Sequence, residues 1–154
     1  MVSGSSKWVY RHSSQEVCPW NVSFAHELRE PAFAAREVLA GKDARTLARE
    51  LLAMTQEEFS TAFRGSPMKR AKLRGLKRNA AVVLGNVGTM EDVPVLEQAL
   101  TDPEPLVREH AVWALGRLSF PSAAAALRNR LDVEPDAAVR DELVTALDTL
   151  AAAR

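Results

Sequence analysis

Hydrophobic positions recur along this chain with the helical period of three to four residues, and no stretch alternates strictly as a half-buried strand would. Asp43 stands where an N-cap is needed for a helix through Ala53, with Leu47, Leu51 and Leu52 on its apolar side. Thr55 followed by Glu58 forms a capping box for a second short helix ending near Phe63. Arg64-Gly65 breaks that helix. Ser66-Pro67 then offers an N-cap with proline at the first helical position, where a missing N–H costs nothing. The third helix is predicted to run to about Gly85, burying Leu73, Leu76, Ala80, Val83 and Leu84. Upstream, one short helix is predicted over Phe33 to Leu39, stopped at Gly41. Residues 1–21 carry Trp8, Tyr10, Cys18 and Trp20 but show no period, so they read as an irregular arm.

From residue 77 the pattern repeats. Lys77 to Gly85 (KRNAAVVLG) aligns with Arg108 to Gly116 (REHAVWALG) at an offset of 31. At an offset of 32, Asp102-Pro103 and Val107-Arg108 fall on Glu134-Pro135 and Val139-Arg140, and Val112, Ala114, Leu115 and Leu118 on Val144, Ala146, Leu147 and Leu150. A period near 30 residues is the mark of a solenoid, in which each helix pair hides its apolar face against the next. The acid–proline step is predicted to end one helix and cap the next, while Pro94 and Pro121 reset the chain before second helices over Val95–Leu100 and Ser122–Leu131. These units resemble HEAT-like repeats of the phycobilisome-lyase type, which implies an all-α helical-repeat solenoid with an irregular N-terminal arm. The third unit lacks the Leu-Gly pair, as a terminal cap would. The expected organisation is an arm over 1–42, two short connecting helices over 43–66 and the repeat domain over 67–154. Such scaffolds host many partners, so the architecture alone assigns no function.

Composition narrows the chemistry. The chain has 154 residues and 47% hydrophobic side chains, enough for one soluble domain. Its single cysteine excludes an internal disulfide and a self-contained cysteine-ligated metal site. No h-region opens the sequence and no apolar run approaches the roughly 20 residues that span a bilayer, so the expectation is a cytoplasmic protein without a membrane partner. Twenty basic and twenty acidic residues cancel, but not locally. Arg64, Lys69, Arg70, Lys72, Arg74, Lys77 and Arg78 crowd into fifteen residues without one acid, leaving thirteen basic against twenty acidic side chains elsewhere. On one continuous helix Arg70, Arg74, Lys77 and Arg78 would share a face opposite Leu73, Leu76 and Leu84. A positive face beside a Gly-Ser-Pro turn suits a phosphodiester backbone. The competing reading is a solvated face paired with acids on the next helix. The absence of an interleaved Glu favours an external anion, because i, i+4 pairs are forgone. Gly75 in mid-helix, costing about 1 kcal/mol against Ala, points to close approach by another backbone or a ligand.

Catalytic motifs are missing. Cys18-Pro19 ends like a bacterial ferredoxin cluster motif, but the upstream ligand positions hold Ser14 and Arg11, so Cys18 is an orphan. His12, His26 and His110 are scattered, with His110 expected on a surface or groove. No H-E-x-x-H, G-x-S-x-G or phosphate-cradling glycine loop occurs. Glu57-Glu58 and Glu134 to Asp136 read as cap and first-turn carboxylates.

The blocks QEVCPWN (15–21), Arg29-Glu-Pro31, Glu57-Glu-Phe59, FRGSPMKR (63–70) and Arg78-Asn79 to Leu84-Gly-Asn86 together resemble the C-terminal third of epoxyqueuosine reductase, over residues 15–118. The resemblance implies a cytoplasmic tRNA-modifying reductase whose full-length form uses a cobalamin and two 4Fe-4S clusters in the last step of queuosine synthesis. This chain lacks the catalytic domain of that pattern, and Arg11-His-Ser-Ser14 stands where the family has Cys-x-x-Cys. By resemblance it is then a tRNA-binding HEAT-like domain without catalysis or cofactor of its own, gripping tRNA through the run from Arg64 to Arg78. A separate reductase-domain chain is a second partner under that reading. The alternative is a stand-alone HEAT-repeat module that binds a protein and no nucleic acid.

Overall fold

The computed structural model describes residues 36–152, together with the isolated positions Pro19 and Ser23. Among the described residues seven α-helices follow in chain order: α1 Ala44–Ala53, α2 Gln56–Ala62, α3 Lys72–Val87, α4 Val93–Ala99, α5 Pro105–Leu118, α6 Ala123–Val133 and α7 Ala137–Ala152. Short 3-10 turns over Pro67–Ala71 and Met90–Asp92 lead into α3 and α4. No strand occurs among the described residues. The predicted caps do their work: Asp43 accepts from the amides of Arg45 and Thr46, Thr55 and Glu58 close a reciprocal capping box, and Ser66 accepts from the Met68 amide.

Helices α1, α3, α5 and α7 lie side by side as one layer, and α4 and α6 pack against α5 and α7 as the second. A continuous core runs through both, from Ala48 and Leu52 through Leu84, Leu96, Val107 and Leu115 to Leu143 and Leu150. A smaller cluster of Met54, Phe59, Phe63 and Leu76 holds α2 against the start of α3, with the Phe59 and Phe63 rings tilted at 5.3 Å.

The repeated glycines explain the spacing of the layer. A Cβ on Gly85 would stand 2.5 Å from Cζ3 of Trp113 and 3.0 Å from Cα of Ala114. One on Gly116 would stand 2.9 Å from Cβ of Ala146. Each Leu-Gly pair thus lets one first helix press on the alanine of the next. In the third unit the equivalent position is Asp148, which is exposed.

Several expectations need correction. The third helix does not run unbroken from Pro67: residues 67–71 are 3-10, and Lys72 turns the chain at φ 58°, ψ 163° before α3 begins. The Phe33–Leu39 helix falls partly outside the described residues. Its described end is a hydrogen-bonded turn in which Leu39 and Ala40 donate to the Arg36 carbonyl, and Gly41 then takes φ 69°. Val38 and Leu39 pack on the second cluster, and the compact unit that holds the helices covers Arg36–Arg154. The second helices start and end within two residues of expectation, and Pro94 lies inside the first turn of α4. The acids of the acid–proline steps are not the N-caps: Glu104 and Asp136 precede α5 and α7, and Asp102 and Glu134 act as ion-pair acceptors.

Candidate nucleic-acid interface

Tertiary packing divides the basic run into two parts. Arg64, Lys69 and Arg70 lie in the segment that links α2 to α3, Lys72 opens α3, and all four are exposed, with no ion pair among the described residues. Gly65 at φ 69° and the Ser66 cap bend this segment. Arg36 anchors it from the side, donating to the carbonyls of Ala62 at 3.0 Å and Arg64 at 3.1 Å. The four cations therefore follow a backbone anchored at its start by Arg36, with their side chains exposed.

The other three sit on α3. Arg74 is half-exposed and pairs with Glu104 at 3.4 Å. Lys77 is mostly covered and its Nζ donates to Asp102 at 2.8 Å. Arg78 is half-buried, and its Nε finds no acceptor among the described residues. The expected continuous helical face of Arg70, Arg74, Lys77 and Arg78 does not form, because Arg70 lies in the 3-10 turn and Lys72, at φ 58°, separates it from the α-helix that carries the other three. Acids from the next unit, at sequence separations that no i, i+4 count would catch, neutralise Arg74 and Lys77. Gly75 shows no close approach among the described residues either, since a Cβ there would meet only Ala71 Cβ at 3.7 Å.

Lys77 belongs to a structural series that the repeat alignment contained without revealing its purpose. At the equivalent position, Arg108 is buried and forks onto Glu134, Nε to Oε2 at 2.9 Å and Nη2 to Oε1 at 2.6 Å. Its Nη1 donates to the carbonyls of Asp102 and Pro103. Glu134 also receives Arg130 and the Asp136 amide. Burial by itself would raise the Glu134 carboxyl, but the hydrogen bonds from Arg108, Asp136 and Arg130 prevail and hold it at about 2. A third node went unread in the sequence. Asp92, fully buried, accepts from Arg45 Nε and Nη2 and from the Thr89 amide, while Arg49 Nε lies 2.9 Å from its other oxygen with the N–H out of line. The Thr89-x-x-Asp92 capping box was its only local signal.

Beyond the basic run, α5 presents Trp113 and Arg117 on its outer side, with the Arg117 guanidinium 6.0 Å over the indole centroid. His110 is half-buried, and its Nδ1 lies 2.9 Å from the Leu106 carbonyl. Cys18, His12 and His26 lie outside the described residues. Among the described residues no three His, Cys, Asp or Glu side chains gather closely enough to hold a metal ion. No described helix is long and apolar enough to cross a membrane.

Residues 70–148 match the family profile of HEAT repeats. The chain belongs to the HEAT-repeat family. The HEAT region and its flank are also similar to part of the epoxyqueuosine reductases. The enzyme of that name from Xanthomonas campestris pv. campestris is 43% identical over 104 residues, spanning 67% of this chain and 28% of the relative. That from Bacillus subtilis (strain 168) is 27% identical over 139 residues, spanning 90% and 35%. A crystal structure of epoxyqueuosine reductase with an epoxyqueuosine-modified tRNA-Tyr stem loop superposes with a TM-score of 0.73 at 25% identity, over 89% of this chain and 36% of that one. This HEAT chain thus spans about a third of the length of the proteins it matches.

Proposed function

We propose that this chain is the tRNA-gripping HEAT region of an epoxyqueuosine reductase system, acting in the cytoplasm and contacting phosphates through Arg64, Lys69, Arg70 and Lys72. Arg74 and Arg78 flank that contact. Lys77 holds the solenoid together instead. One observation carries the reading: four exposed cations share a fixed segment of a chain whose structural neighbour is described in complex with a tRNA stem loop. The reduction itself, with the cobalamin and clusters that the resemblance implies, would be supplied by residues other than those described.

Charge reversal tests the assignment. In Lys69→Glu/Arg70→Glu/Lys72→Glu, tRNA affinity should fall, and the slope of log K against log salt should shrink by about 0.7–0.9 for each phosphate that is no longer neutralised. Lys77→Met should lower thermal stability and leave that slope in place. An unchanged affinity and slope in the triple variant would instead favour the protein-interaction module.

A further inference from the structure

An open cavity of about 390 Å³ lies between α5 and α7. Its size falls in the range of small-ligand pockets, roughly 300–1,000 Å³. Gly116 and Ala146 both line it, the glycine letting the two helices approach with only the Ala146 methyl between them. Trp113 and Arg117 make one wall, the cation lying over the ring. Glu142, Thr145 and Thr149 make the other.

The chemistry of these walls is mixed. A phosphate would meet Arg117 but also Glu142, so a simple anion is a poor fit. A planar group with both donors and acceptors on its edge fits better: its face can stack on the indole or the guanidinium, and its edge can meet a carboxyl and two hydroxyls. Nucleobases have this character, and proteins read unpaired ones by such stacking and edge contacts. The cavity and the exposed cations are joined by α3: Trp113 touches Gly85, which lies thirteen residues along that helix from Lys72, about 20 Å at helical rise, a span that one bound RNA strand can cover. We infer that the cavity between α5 and α7 receives an unpaired nucleobase of the bound RNA, stacked against Trp113 and Arg117, with Glu142, Thr145 and Thr149 facing its edge. This rests on the RNA-binding reading above and adds to it a site that phosphate contacts alone would not supply.

The test uses the full chain with Trp8→Phe/Trp20→Phe, which leaves Trp113 as the one fluorophore of its kind. Titration with single-stranded oligoadenylate should quench Trp113 emission saturably, and the matching oligoadenylate–oligouridylate duplex should not. Thr145→Leu removes the hydroxyl and crowds the cavity from an exposed position, sparing the core and adding no second tryptophan. It should remove the quenching and weaken single-strand binding about tenfold. Because stacking is not a counterion effect, the salt slope should stay where it was. Equal quenching by the duplex, or quenching and affinity that survive Thr145→Leu, would overturn the inference. RNA binding that depends on the basic run while Trp113 emission stays constant would overturn it too, and leave the RNA-binding reading standing. Failure of both oligoadenylate and tRNA to bind at all would remove both.

Discussion

Glu134 is the residue on which the second half of the molecule depends. Its carboxylate is buried, accepts hydrogen bonds from two arginines and an amide, and sits at about 2 against an ordinary value of 4.5. A carboxyl whose folded value is depressed contributes stability above its unfolded value and loses it as pH falls through the folded one. Unfolding free energy should therefore be insensitive to this group above about pH 5 and decline between about pH 5 and 2, by on the order of 3 kcal/mol in total. Urea titrations across that range measure the decline, and Glu134→Gln should flatten it while lowering stability at pH 7. Removing the carboxylate altogether, in Glu134→Ala, leaves Arg108 buried without its partner and should cost about 3–5 kcal/mol. The glycines give an equally sharp contrast. Gly116→Ala forces a methyl against Ala146 and should destabilise by about 1–3 kcal/mol. Gly75→Ala meets only ordinary contact and should stabilise by about 0.5–1 kcal/mol through helix propensity. If Gly75→Ala weakens tRNA binding despite that gain, the RNA backbone approaches α3 there.

At the scale of the element, the segment from Arg64 to Lys72 shows where pattern reading succeeds and where it stops. The Ser66-Pro67 cap and the Thr55–Glu58 box act between neighbours in sequence, and both were legible. The repeat units were legible as well, because apolar stripes and Leu-Gly pairs are fixed by helix–helix contact. What the pattern could not give is the break at Lys72, a residue in a region of backbone space that only glycine enters without strain. Nothing in Met-Lys-Arg-Ala-Lys announces it. Lys72→Gly should relieve that strain and raise stability by about 1–3 kcal/mol. The same change removes one exposed cation, so tRNA affinity should drop as the melting temperature rises, a divergence that calorimetry and a binding titration would register together. The neutralisation of Arg74 and Lys77 was hidden for a different reason. Their partners Glu104 and Asp102 lie 30 and 25 residues away, and only the stacking of one unit on the next brings them near.

For the whole molecule, stability is the sum of such nearest-neighbour interfaces. The core passes without interruption from α1 to α7, and each unit supplies what its predecessor needs. Ending the chain at Ser119 should thus do more than remove two helices. It would strip Glu134 from Arg108 and Ala146 from Gly116, and the remainder should unfold at lower temperature with a broader transition by circular dichroism. The zero net charge of the chain belongs to this scale too. Among the described residues, several acids are taken up in pairs between units, and four cations without an ion pair, Arg64, Lys69, Arg70 and Lys72, stand together at the start of α3.

The series Lys77–Asp102 and Arg108–Glu134 has a direction. In each step the cation comes from the earlier unit and the acid from the later one. Arg140 continues the series at its next position, exposed and without an ion-pair partner among the described residues. Solenoid units of this kind are therefore asymmetric couplings, like links with a hook at one end and an eye at the other. A unit grafted after α7 would register only if it opened with an acid–proline step, whereas one grafted in reverse would set like charge against like.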